Sequence, residues 1–156
     1  MNIIWEYIMM FGMSMVPILE QRGAIIYGFT RSLNPFLIFI LTYIGSLIPV
    51  PVIFLFFTKI LEFIDKNKSL KWLSNIINNK INKNKEHFVK YKEIGLITFI
   101  GVPLPMTGVY TGTAIATVLK LNFKKSMFCA AIGALISSCI VTLGCVFVPA
   151  LFMRIS

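Results

Sequence analysis

Gly101-Val102-Pro103-Leu104-Pro105-Met106-Thr107-Gly108 lies in the middle of an apolar run, residues 94–119, and interrupts it with two prolines and two glycines. Proline removes helix donors and glycine permits a reversal, so no regular helix passes through this stretch. The run holds twenty-six residues, whereas two helical crossings of a hydrocarbon core near 30 Å take on the order of 40. If both its ends lie on one side of a membrane, it must be a re-entrant hairpin that turns at the prolines. If they do not, it is one kinked span. Broken backbone at membrane depth needs protein or a wet cavity to satisfy it.

Composition makes the membrane the relevant solvent. Of 156 residues 57% are hydrophobic and 13% charged, about half the usual charged share near 25%. The mean hydropathy is +0.83. One water-soluble core of this size cannot hide that much apolar surface, and a disordered chain or a disulfide scaffold is excluded. The net charge of +9 is unevenly placed. Residues 1–58 carry Glu6, Glu20, Arg22 and Arg31, and residues 94–156 carry Lys120, Lys124, Lys125 and Arg154. Between them, residues 59–93 hold nine Lys against Glu62, Asp65, Glu86 and Glu93. Two apolar blocks joined by a basic bridge describe an integral membrane protein. With no basic residue before Arg22, a secretory leader is not expected, and the first apolar segment stays in place.

Residues 35–58 and 126–152 are each long enough to span. The second carries Ala130, Ala134 and Ser138 at four-residue spacing, which suits close packing on a neighbouring helix. The positive-inside rule places the bridge and the cluster Lys120, Lys124 and Lys125 in the cytoplasm, which favours the hairpin for 94–119. Residues 13–33 repeat the plan, interrupted by Pro17, Glu20, Arg22, Gly23 and Gly28 and followed by Arg31. A slide of 89 positions pairs Gly23 with Gly112, Ile26 with Ile115 and Arg31 with Lys120. The expected architecture is all-α, a single membrane domain over 1–156. It has two inverted units (1–58 and 94–156), each a broken re-entrant hairpin plus a transmembrane helix. The bridge 59–93 joins them on the cytoplasmic side of the cell (plasma or inner) membrane. One tension follows, since this topology leaves Arg31 and Arg154 outside.

Within the bridge, Leu70, Leu73, Ile77 and Ile81 share a helical face, with Trp72 and Ile76 beside it and lysines around it. This is either a basic amphipathic helix on an anionic leaflet or a solvated loop with one short helix. No nucleic-acid fold motif accompanies the charge.

Glu20 and Arg22 are the only opposite-charge pair inside an apolar block. An ionisable group at mid-membrane costs about 2.5–3.5 kcal/mol on insertion scales, so it has a partner or a task. On a regular helix they would splay apart, but Pro17 and Gly23 bracket them, and a broken backbone could aim both into one cavity. There Glu20 could carry a proton, and Arg22 could hold it ionised or bind an anionic group. The alternative puts both at the interface, among water and headgroups. Thr107, Tyr110, Thr111 and Thr113 offer hydroxyls beside Gly108 and Gly112, either to a substrate or to the broken backbone. Gly45-Ser46-Leu47-Ile48-Pro49-Val50-Pro51 is a further break, inside the first span. No catalytic triad, metal-ligand cluster or phosphate loop is present, so neither an enzyme nor a cofactor is expected. Cys129, Cys139 and Cys145 read as small buried hydrophobes.

Pro17-Ile18-Leu19-Glu20-Gln21-Arg22-Gly23-Ala24 resembles the Pro-x-x-Glu-x-Arg-Gly-Ala signature of the small multidrug export protein family. Gly45 to Pro51 is similar to that family's Gly-Asn-x-x-Pro-Val-Pro stretch, and Pro103 to Gly112 to its Pro-x-Pro-Gly-Thr-Gly-Ala-Trp-Thr-Gly block. Ser46, Met106 and Tyr110 depart from the pattern, where the family has Asn, Gly and Trp. The resemblance implies a transporter, and a likeness in plan to DedA-type proteins implies lipid or lipid-carrier movement as a rival. The expected function is a small secondary exporter, homodimeric and proton-linked, with a midplane site. Its site residues are Pro17, Glu20, Arg22, Gly23, Ser46, Pro49, Pro103, Pro105, Thr107, Gly108, Tyr110 and Thr111, and its partners are membrane lipids and a small-molecule or lipid substrate. The alternatives are a DedA-like translocase or scramblase of anionic phospholipid or polyprenyl phosphate, and a non-transporting scaffold acting through the bridge.

Overall fold

A computed structural model describes residues 2–66, 85–104 and 107–155. Helices are the only regular elements among them: α1 (Ile3–Ser14), α2 (Glu20–Thr30), α3 (Pro35–Leu47), α4 (Val50–Lys66), α5 (Lys85–Gly101), α6 (Val109–Val118) and α7 (Phe123–Ile155). The helices extend into both ends of the sequence-derived bridge, since α4 runs on to Lys66 and α5 begins at Lys85. The amphipathic stretch around Leu70–Ile81 lies outside the described residues.

Two helical stretches, Pro35–Ile64 and Phe123–Phe147, are long and apolar enough to cross a membrane. Only 28% of each apolar window is buried inside the fold, so these are not the core helices of a water-soluble domain. The exposed side chains include Phe36, Val52, Phe56, Phe63, Phe128 and Phe147, a surface suited to lipid. The first stretch is interrupted at Ile48 and Pro49, between α3 and α4. Pro51 falls in the first turn of α4, where its missing N–H has no helical acceptor to lose.

The remaining helices are shorter. At 1.5 Å per residue α2 and α6 are about 16 and 15 Å long, half a hydrocarbon core. α1 folds back on α2, with Tyr27 on α2 donating to Glu6 on α1, and α5 folds back on α6, with Lys92 on α5 donating to Leu119 O at the end of α6. Each pair is a helical hairpin. The first one starts earlier than the sequence reading had it, because its outer arm is Ile3–Ser14, a stretch with no proline to mark it.

The hairpins end alike. Ser32 and Lys120 both hold left-handed backbone, φ 53° and 55°. Ser32 N donates to Phe29 O and Leu33 N to Gly28 O; Lys120 N donates to Thr117 O and Leu121 N to Ala116 O. This is the Schellman pattern that stops a helix. Asn34 and Asn122 then open α3 and α7, their carbonyls accepting from Ile38 N and Ser126 N, each at 2.9 Å. Every one of these pairs stands 88 positions apart, one fewer than residue matching along the sequence had suggested.

Two apolar clusters hold the helices together. Met10, Ala24, Ile25, Leu33 and Ile38 join α1, α2 and α3. Val50, Leu96, Ile100, Val109, Ala116, Cys129, Ala130 and Ala134 join α4 to α7. The small residues expected to allow close packing do so: Ala130 and Ala134 are fully buried, and a Cβ at Gly133 would run into Ile100.

Candidate functional site

The connections of the two hairpins meet, through Met15–Leu19 in the first and through Val102–Leu104, Thr107 and Gly108 among the described residues of the second. Breaking a helix leaves carbonyls unpaired before the break and N–H groups unpaired after it. Here each tip satisfies groups of the other.

Glu20 opens α2 with φ 50°, a left-handed conformation that costs an L-residue about 1–3 kcal/mol. Its carboxylate lies at the N-terminus of α6, where Oε1 accepts from Val109 N at 2.5 Å and Tyr110 N–H also faces it. A negative charge is favoured at a helix N-terminus. Gly108 has extended backbone, so its glycine is not required by conformation. It is required by space, because a Cβ there would collide with the Glu20 carboxylate.

Arg22 leaves the same turn of α2 and reaches the other side of that break. Its guanidinium donates to Leu104 O at 2.5 Å, Ile100 O at 3.2 Å and Val102 O at 3.3 Å, and its Nε to Ser137 Oγ on α7 at 3.1 Å. The cation therefore covers the C-terminal end of α5, the favourable end for positive charge. Among the described residues no ion pair joins Glu20 to Arg22. In return, Tyr110 Oη donates to Met15 O at 2.5 Å, at the end of α1.

Between the tips is a cavity of about 420 Å³ lined by Pro17, Glu20, Arg22, Thr107, Gly108, Tyr110 and Thr111, with Ile18, Leu19 and Leu104 as its apolar wall. Seven residues singled out in the sequence thus come together, from segments about ninety positions apart. Thr107 donates to Val102 O and Leu104 O, and Thr111 Oγ1 accepts from Gly108 N at 3.0 Å. Both hydroxyls serve the broken backbone.

The other named residues sit elsewhere. Gly23 lies in the first turn of α2 against Leu19, the residue that precedes the helix. Ser46 is buried on α3 and donates to Gln21 Oε1 at 2.9 Å. Pro49 forms the α3–α4 break, Pro103 is in the α5–α6 connection off the cavity lining, and Pro105 lies outside the described residues.

Three further residues, outside the expected site, take part in these contacts. Gln21 is buried between its charged neighbours, and its Nε2 donates to Ala134 O on α7 at 2.9 Å. Ser137 receives Arg22. Glu6 is buried at the base of the first hairpin, accepting from Tyr27 Oη at 2.5 Å with Arg31 Nε 3.5 Å away. Arg31 therefore has a counter-charge. Among the described residues no three His, Cys, Asp or Glu side chains gather into a metal site.

Fold and site together define a helical membrane protein whose polar centre forms where two broken hairpins meet. A model of the family described as "Putative small multi-drug export protein" matches residues 20–140, and the chain belongs to that family. The description is of an exporter and not of an enzyme class. No curated protein and no solved structure matches the chain.

Proposed function

We propose that this chain is a secondary exporter that moves a small solute through the cavity between the hairpin tips, with Glu20 carrying the coupled proton. The observation that carries this reading is that Glu20 is at once a cavity wall and the tie to the N-terminus of α6. A charge-assisted hydrogen bond is about twice as strong as a neutral one. A proton arriving on Glu20 would weaken that tie, let the tips part and change access to the cavity. Solute that displaces the proton would restore it.

In this reading both hairpins are re-entrant, entering from opposite faces, and the residues between α4 and α5 are cytoplasmic. The short lengths of α2 and α6, the basic charge of 59–93 and the matched hairpin ends support it. Glu6 beside Arg31 removes the tension of a bare arginine outside. Two units offer few helices to enclose a path, so the working form is a homodimer. The DedA-like alternative has less support, because a phosphate would have to displace four acceptors from Arg22.

The test is flux in proteoliposomes under an imposed pH gradient, with a fluorescent drug-like solute and a labelled phospholipid followed together. Solute flux should be lost in Glu20→Gln and Arg22→Ala. Unchanged flux in both variants would sink the assignment, and lipid movement without solute movement would transfer it to the lipid reading.

A further inference from the structure

A second cavity, about 470 Å³, lies on the outside of the second hairpin and shares no residue with the one between the tips. Its walls are Gly95, Leu96 and Phe99 of α5 with Ile115 and Leu119 at the end of α6, all apolar. The arms of this hairpin are pressed together near the tip, where a Cβ on Gly112 would strike Ile100. Nearer the base there is room, and a Cβ on Gly95 would meet nothing within 4 Å. The result is a groove between the arms, open at Gly95, that a larger side chain there would fill.

The mouth is chemically different from the walls. Tyr91 and Lys92 stand there, and Lys92 Nζ donates to Leu119 O at 3.2 Å, which fixes the ammonium over the end of α6. Tyrosine and lysine are the residues that mark a bilayer's headgroup level. Lys92 itself belongs to the basic stretch 59–93.

We propose that this groove holds one acyl chain of an anionic phospholipid, whose phosphate is bound at Lys92. A narrow apolar slot closed at one end by a cation fits a chain with a charged head. It is a poor seat for a partner helix, which would need a broad face. The lipid is a fixed companion of the second hairpin and is separate from whatever crosses between the tips.

The test is native mass spectrometry of the full chain in detergent, titrated with phosphatidylglycerol or phosphatidylcholine. The unmodified chain should retain one phosphatidylglycerol per copy, with about fivefold preference over phosphatidylcholine, the effect expected of one lysine near an anionic head. Gly95→Leu fills open space and should lose the bound lipid while keeping its helical circular-dichroism signal. Lys92→Gln should keep lipid but lose the preference. If Gly95→Leu does not fold, Ile115→Phe blocks the slot from the other wall and should lose the lipid likewise. Equal phosphatidylglycerol retention in a folded groove variant, or an undiminished preference in Lys92→Gln, overturns the proposal. So does a groove variant that changes the oligomeric mass and not the lipid count, which would make the occupant a second copy of the chain.

Discussion

Glu20 and Val109 are 89 residues apart in the chain and 2.5 Å apart across a hydrogen bond. The bond runs from the first N–H of one short helix to a side chain at the start of another, so a charge from one hairpin completes the backbone of the other. The polar groups at the centre are structural ties first.

Gly108 should be intolerant of a side chain. Gly108→Ala is expected to lower stability by about 1–3 kcal/mol, the usual range for overpacking, because the Glu20 carboxylate has to move. Gly144, around which a Cβ meets nothing within 4 Å, is the control. Gly144→Ala should be neutral or stabilising by up to about 1 kcal/mol. Thermal unfolding of both variants in detergent compares them; equal midpoints would mean that the tips are not in contact.

Arg22→Lys preserves charge but not shape. An ammonium cannot span the three carbonyls and one hydroxyl that the planar guanidinium reaches. A loss of about 0.5–1.5 kcal/mol is expected, the net value of one hydrogen bond, because Val102 O and Leu104 O keep Thr107 as a donor while Ile100 O and Ser137 Oγ lose the guanidinium. Hydrogen exchange should also quicken at the last turn of α5. A variant that melts and exchanges like the parent would show that the arginine acts by charge alone.

Tyr110 and Glu20 cross the same junction in opposite directions. Tyr110→Phe should cost about 0.5–1.5 kcal/mol, the net value of one hydrogen bond. Combined with Glu20→Gln, the two losses should fail to add, with a coupling of about 0.5–3 kcal/mol. Simple additivity in a thermal or denaturant cycle would mean that each tie holds without the other.

Topology is open to chemistry from each side. In a background with Cys129, Cys139 and Cys145 replaced, single cysteines at positions 107, 120 and 156 should differ in reactivity toward an impermeant maleimide. Position 120 should react from the cytoplasmic side, position 156 from the opposite side, and position 107, at the tip, slowly from either. Reaction of position 120 only from outside would show that α5 and α6 together make one kinked crossing.

The sequence made the breaks legible because proline and glycine act locally, and a break in an apolar run has few meanings. It also made Glu20 and Arg22 legible, since isolated charges in such a run demand partners. Which partners they take was not legible. The C-terminal carbonyls of α5 and the N–H of Val109 belong to every chain and carry no residue-type signal. Gln21 is illegible for a related reason: between two charged residues an amide looks incidental, yet it joins α2 to Ser46 and Ala134. Ser46 was drawn toward the cavity by its motif and lies instead in this support. The first arm of the first hairpin, Ile3–Ser14, was missed because twelve residues with a single charge, Glu6, read equally well as part of a longer span.

The exchange of partners between the tips also sets an order of manufacture. A ribosome adds about 5–20 residues per second, so Glu20 is made roughly 4–18 seconds before Val109 exists to bind it. For that interval the first hairpin's Met15 carbonyl and its carboxylate must be tended by water, lipid headgroups or the insertion machinery. The N-terminal half therefore cannot settle at its final depth on its own schedule. It waits for the other half, and in a nascent chain stalled before residue 109 the tip of the first hairpin should stay open to protease, while that of the completed chain does not.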